Sequence, residues 1–216
     1  MLYEPKHFKS EEREHALALM REHPLATVVS VADGEPAVSH VPLIARVRDG
    51  AVVLLGHFAK ANPHWSSWAA GTRVTAIFRG PDSYVSPSWY ENKEAVPTWN
   101  YMVVHAEGPV AITHNGAAKE RILKALIDAH DPPYREHWDV ALTEEYRERM
   151  KSAIVGFEIA VDALHAKFKL SQNRAAEDRA NVLAAMERGE GERGEGERGA
   201  MRAGLGRWMR RLEIGI

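Results

Sequence analysis

Two Asp-Gly dipeptides constrain this chain more than any other feature. Asp33-Gly34 and Asp49-Gly50 each separate runs of β-branched and apolar residues. A tight hairpin turn needs positive φ at its centre, which Asp and Gly tolerate, so Asp-Gly between such runs specifies an antiparallel return. LATVVSV at 25–31, PAVSHVPLIARV at 36–47 and AVVLLGHF at 51–58 therefore read as three consecutive strands of a meander. That pattern belongs to an antiparallel barrel or sheet.

The rest of the chain extends the pattern. Strands are expected at 73–80, at 83–85, at 98–112 with a bend near Gly108-Pro109, and at 154–164. Helical spacing marks 11–22, 119–130, 144–151 and 176–188, and Pro63 can open a short helix carrying Trp65 and Trp68. The segment 81–97 holds three prolines and reads as a long structured loop, while 164–174 gives mixed signals. The expected organisation is a domain over 1–175 with inserted helices at 114–151 and a closing helix at 176–188. A flexible Gly/Glu/Arg-rich linker at 189–199 and a basic amphipathic tail at 200–216 follow. In the tail, Met201, Leu205, Trp208 and Leu212 have helical spacing, against Gly204 and Gly206 between them, which weaken a helix. Disorder, docking on a subunit, and contact with a membrane or nucleic acid all stay open for it.

Composition excludes several chemistries. There is no cysteine, so disulfides, thiolate metal sites and cysteine nucleophiles are absent. The formal charge of −2 gives long polyanions little overall attraction. The start MLYEPKHFKS lacks an apolar secretory core, and no apolar run is long enough to span a bilayer, so no membrane is expected and the cytoplasm is the default location. Eleven histidines occur without HExxH or a tight carboxylate–histidine cluster, so no metal site is expected. Neither GxSxG nor a glycine-rich phosphate loop is present.

Three polar clusters carry candidate chemistry. In GHFAKANPHW at 56–65, a strand ends where a short helix can begin. Backbone N–H groups there, with Lys60 as cation and Asn62 as amide donor, suit a phosphate; a polar turn with satisfied histidines is the plainer reading. In PTWNY at 97–101, Trp99 can pack on a flat ring and Asn100 can bond its polar edge, or the indole is simply core. In KLSQNR at 169–174, two cations and short polar donors form an anion-binding edge or a solvated helix start. Ser39 and His40 interrupt the second strand; as sequence neighbours they face opposite sides and do not form a catalytic dyad.

These segments, taken in order, resemble the PaiB family of FMN-binding negative transcriptional regulators, within the FMN-binding split-barrel superfamily. The resemblance is carried by MLYEPKHF at 1–8, HPLATVVS at 23–30, PAVSHVPL at 36–43, GHFAKANPHW at 56–65, FRGPDSYVSPSWY at 78–90, VPTWNY at 96–101, IVGFEI at 154–159 and KLSQNR at 169–174. It covers about residues 1–188; Leu2 departs from the usual Met-Tyr start. It implies a mostly β, α+β fold: an FMN-binding split β-barrel, PNP-oxidase-like, with peripheral helices, forming a homodimer with FMN at the subunit interface. It further implies His57, Ala59, Lys60 and Asn62 as the phosphate segment and Ser39, His40 and Val41 as the strand facing the ring. Trp99 and Asn100 would come from the partner, and Lys169, Gln172 and Arg174 would form a cofactor-edge set.

The family role is repression of transcription, with DNA or a regulatory protein as the further partner. No helix-turn-helix pair is evident in the sequence. The alternative is an FMN-dependent oxidoreductase, a flavin reductase or oxidase, acting on an unknown small molecule. A protein holding its flavin structurally is the third reading. His40, His57, His64 and Tyr101 are the candidate proton carriers, and none has a carboxylate partner fixed by the sequence.

Overall fold

The computed structural model describes residues 2–188 and 197–215. Helix α1 (Arg13–Glu22) precedes the hairpin β1 (Leu25–Ala32) and β2 (Glu35–Pro42). Strands β3 (Ile44–Arg48) and β4 (Ala51–Ala59) form a second hairpin, followed by a 3-10 turn at Pro63–Ser67. The two Asp-Gly turns are where they were expected: Asp33, Gly34, Asp49 and Gly50 all have positive φ. Next come β5 (Arg73–Val85), a 3-10 turn at Pro87–Trp89 and β6 (Thr98–Thr113). Helix α2 (Gly116–His130), a short α3 (Tyr134–Glu136) with a π turn at His137–Ala141, and α4 (Glu144–Ser152) fill the insertion. Strands β7 (Ile154–Val161) and β8 (Ala163–Lys169) lead to α5 (Ala176–Arg188) and α6 (Glu197–Arg211).

The strand order is β2-β1-β5-β6-β7-β4-β3, with β8 paired to β6. The pairings of β1 with β2 and β5, of β4 with β3 and β7, and of β6 with β7 are all antiparallel. The expected single strand at 36–47 is two strands. Buried Leu43 breaks it, its N–H donating to Pro24 O at 2.9 Å. Its halves therefore pair with different partners and lie at opposite ends of the strand order. The expected strands 73–80 and 83–85 are one, because β1 pairs only with residues 75–77 and Pro81 lies beyond that ladder.

The chain divides into two compact units. One comprises 16–78 and 105–164, the other 1–15, 79–104 and 165–216. In the first, Phe58 packs on Phe157 with ring centroids 4.9 Å apart and on Trp68 at 5.4 Å. In the second, Phe168 meets Trp208 at 5.4 Å, and Leu205 and Met209 are fully buried. The tail segment is thus helical to 211, α6 lying on α5 and beginning at 197, inside the expected linker. Residues 189–196 of the expected linker lie outside the described residues.

Candidate functional site

In the first unit, a polar chain runs from the core to the end of β2. Trp68 Nε1 donates to Ser30 Oγ at 3.1 Å, and Ser30 Oγ lies 2.9 Å from His64 Nε2. His64 Nδ1 is 2.9 Å from Ser39 Oγ, and Asn62 Nδ2 donates to that same oxygen at 3.1 Å. Asn62 Oδ1 accepts from the His64 N–H at 2.9 Å, which fixes both the amide orientation and the cap of the short 3-10 turn.

Burial pushes His64 below the ordinary histidine value of 6.5, so its ring is neutral near pH 7. One tautomer then satisfies every group. Ser30 is buried and already accepts from Trp68, so its own proton must go to His64 Nε2. His64 Nδ1 therefore carries the ring proton and donates to Ser39. Ser39 Oγ accepts twice, and its hydroxyl proton is left to donate outward from a half-buried side chain.

Nearby, Lys60 is exposed, and its side chain has no ion-pair partner among the described residues. Its backbone is anchored: its N–H donates to Ala153 O at 2.7 Å and its carbonyl accepts from Trp65 Nε1 at 3.1 Å. Exposed Ala59 closes the same turn by accepting from the Asn62 N–H at 2.9 Å. Val41 is buried on the Ser39 side of β2. Exposed His40 faces the other way, its Nδ1 3.0 Å from Thr27 Oγ1.

His57 does not join this group. Phe58 stacks on His64 with centroids 5.4 Å apart, so strand alternation turns His57 to the opposite face of β4. Its Nδ1 is buried with no hydrogen-bond partner, and burial lowers its pKa.

The second unit collects the remaining candidates. Asn100 is fully buried and donates to Ser171 Oγ at 3.1 Å, holding the turn in which Ser171 takes a φ of 69°. Gln172 folds back on the chain, accepting from Leu170 N at 2.7 Å and donating to Phe168 O at 2.5 Å. Both side chains therefore shape this edge from within. The other groups here are cations and an indole; Lys167 is buried, Lys169 and Arg174 are half-buried, and the indole is open. Lys167 lies over the rings of Tyr3 and Tyr101 at 5.1 and 5.3 Å, Lys169 donates to Thr98 Oγ1, and Arg174 lies 4.3 Å over Tyr90. Burial, with Lys167 and Arg174 nearby, lowers the Lys169 pKa. Trp99 is 51% exposed, an open ring surface beside Tyr84.

Sequence reasoning named His64 and Tyr101 as candidate proton carriers without a contact role and missed Ser30 and Lys167 as members. The signals existed. Ser30 interrupts an apolar strand, and Lys167 and Lys169 are two apart on a strand, hence on one face. Among the described residues, no group of His, Asp or Glu could hold a metal ion.

In the first unit an exposed cation, a hydroxyl and an amide suit a phosphate and a polyol; in the second, cations and an exposed indole suit an anion and a flat ring. The family model described as "Putative FMN-binding domain" matches residues 2–163. The chain is 35% identical over 192 residues to the protease synthase and sporulation protein PAI 2 of Bacillus subtilis, covering 88% of this chain and 91% of that protein. Among solved structures, it resembles an FAD and heme binding protein from Mycobacterium smegmatis, with TM-score 0.59, 22% identity, and 79% and 78% of the two chains covered. It also resembles the flavocytochrome Anf3 from Azotobacter vinelandii, with TM-score 0.56, 16% identity, and 74% and 69% covered.

Proposed function

We propose, on the premise that the chain belongs to the FMN-binding domain family and has the split-barrel fold, that it is a homodimeric FMN-holding transcriptional regulator of the PaiB type. Its cofactor is FMN, which brings a dianionic phosphate, a ribityl chain and a redox-active ring. In this reading Lys60 meets the phosphate and Ser39 and Asn62 meet the ribityl hydroxyls. The partner's Trp99 covers the ring, while the partner's Lys169 and the partner's Arg174 add positive charge. Asn100 and Gln172 hold the turn that presents those cations. Val41 and Ala59 contribute backbone and shape, and His40 and His57 stand outside the contact set.

One observation carries the reading. The buried histidine at this site has both ring nitrogens engaged by serines, so it orients Ser39 instead of exchanging protons with a substrate. Among the described residues no carboxylate pairs with His57 or His64. This supports holding a flavin over turning over a substrate. The cytoplasm is the proposed location; no helix of the described residues is long and apolar enough to cross a membrane.

FMN titration, followed by quenching of flavin fluorescence, tests the site. Lys60→Ala and Ser39→Ala each remove one hydrogen bond or charge to the ligand, so affinity should fall about tenfold in each while the fold persists. Unchanged titration in both rejects the assignment. Regulation is tested by a salt-dependent shift of promoter DNA, and steady NAD(P)H consumption without DNA binding would favour the oxidoreductase instead.

A further inference from the structure

On the α2 side of β4, the face opposite Phe58 and His64, the first unit forms a half-open pocket of about 740 Å³. Strand alternation turns Val53 and Leu55 toward it as a floor, and Ile122 and Ala125 of α2 form the roof. Gly156 sets where helix and sheet touch. A Cβ there would lie 2.9 Å from both Ile122 Cδ1 and Thr113 Cγ2, so glycine permits contact at that end. Toward β3 the space is open. Arg46 sits opposite Val53 and Arg48 opposite Ala51, which places both arginines on the cavity side.

The charges of the lining are unbalanced. Its two acids are already taken: Glu158 pairs with Arg48, and Asp128 with Arg135 at 2.5 Å. Lys124 is held by Glu120 at 3.5 Å and Asp139 at 2.5 Å. Arg46 and Arg121 have no ion pair among the described residues. Apolar walls disfavour a sugar or a free phosphate, and uncompensated guanidinium groups reject a cation. The volume lies within the range of small-molecule sites.

We propose that this cavity binds a hydrophobic carboxylate, an alkyl or aryl acid whose body lies between Val53, Leu55 and Ile122 and whose charge is neutralised by Arg46 and Arg121. The site is separate from the flavin residues and does not depend on them.

Calorimetric titration of the full-length protein with sodium decanoate, below its micelle concentration, tests the proposal. Decanoate should bind, decanol and inorganic phosphate should bind at least about tenfold more weakly, and added salt should weaken decanoate. Arg46→Ala with Arg121→Ala should lower decanoate affinity by about tenfold or more and leave FMN titration unchanged. Leu55→Glu, which puts an acid on the floor, should abolish decanoate binding. No decanoate binding, equal binding of decanol, or retention in the double arginine variant would each overturn the proposal. A change in sedimentation on disrupting the cavity, with no decanoate binding, would identify a protein contact instead and also overturn it. FMN titration of the same variants keeps this outcome distinct from failure of the flavin site.

Discussion

Ser39 depends on residues far from it in sequence. Its outward proton follows from Trp68 being a donor only, Ser30 being buried and His64 being neutral. The same burial has a cost in acid. A histidine whose folded pKa lies below 6.5 binds protons more readily when unfolded. Stability attributable to His57 and His64 is therefore full above about pH 6.5 and falls as pH drops toward their folded values. Chemical denaturation at a series of pH values should show the loss, up to about 1.4 kcal/mol per pH unit for each histidine. His64→Gln should flatten that slope; an unchanged slope would mean His64 is not the titrating group. At this scale the sequence shows which segments carry chemistry but not which side chains converge. GHFAKANPHW looks like one cluster as a string, yet period-two alternation separates His57 from His64. Ser30 becomes part of the site only through β1 pairing and the return of the 3-10 turn, which no local pattern encodes.

Elements were more legible, and their failures have specific causes. The hairpin turns and helices follow from local chemistry, including Asn115, whose side chain caps α2 by accepting from Ala118 N at 2.9 Å. Strand β6 runs unbroken through Gly108-Pro109, and that glycine serves a close approach. A Cβ there would lie 2.0 Å from Ala160 O, so Gly108→Ala should force strands apart and lower the urea midpoint sharply, or prevent folding. Retained wild-type stability would contradict the contact. Helix α6 forms despite Gly204 and Gly206 because tertiary burial outweighs intrinsic propensity. Trp208→Ala should cost about 3–5 kcal/mol in denaturant unfolding, since the ring is buried against Phe168. Charge on this helix is better tested by substitution than by truncation. Arg207→Glu with Arg211→Glu leaves Leu205 and Met209 in place, and loss of a DNA shift in that variant would assign DNA contact to α6.

For the whole molecule, the resemblance read from ordered motifs specified an FMN-binding split barrel, and the family match and strand order bear that fold out. The homodimer is a proposal with its own test. If one protomer supplies Lys60 and its partner supplies Arg174, Lys60→Ala and Arg174→Ala homodimers each bind FMN weakly. Subunit exchange between them should restore about a quarter of the wild-type sites, because half the dimers then carry one intact site. No recovery after verified exchange would place both residues in a single subunit's site. The break at Leu43 has a consequence of another kind. The strands at the two ends of the hydrogen-bonded path are consecutive on the chain, joined through one buried residue. Exposed strand edges are where foreign chains add and polymers start. Here both edge strands leave from the same residue, so a change at Leu43 acts on the two edges at once.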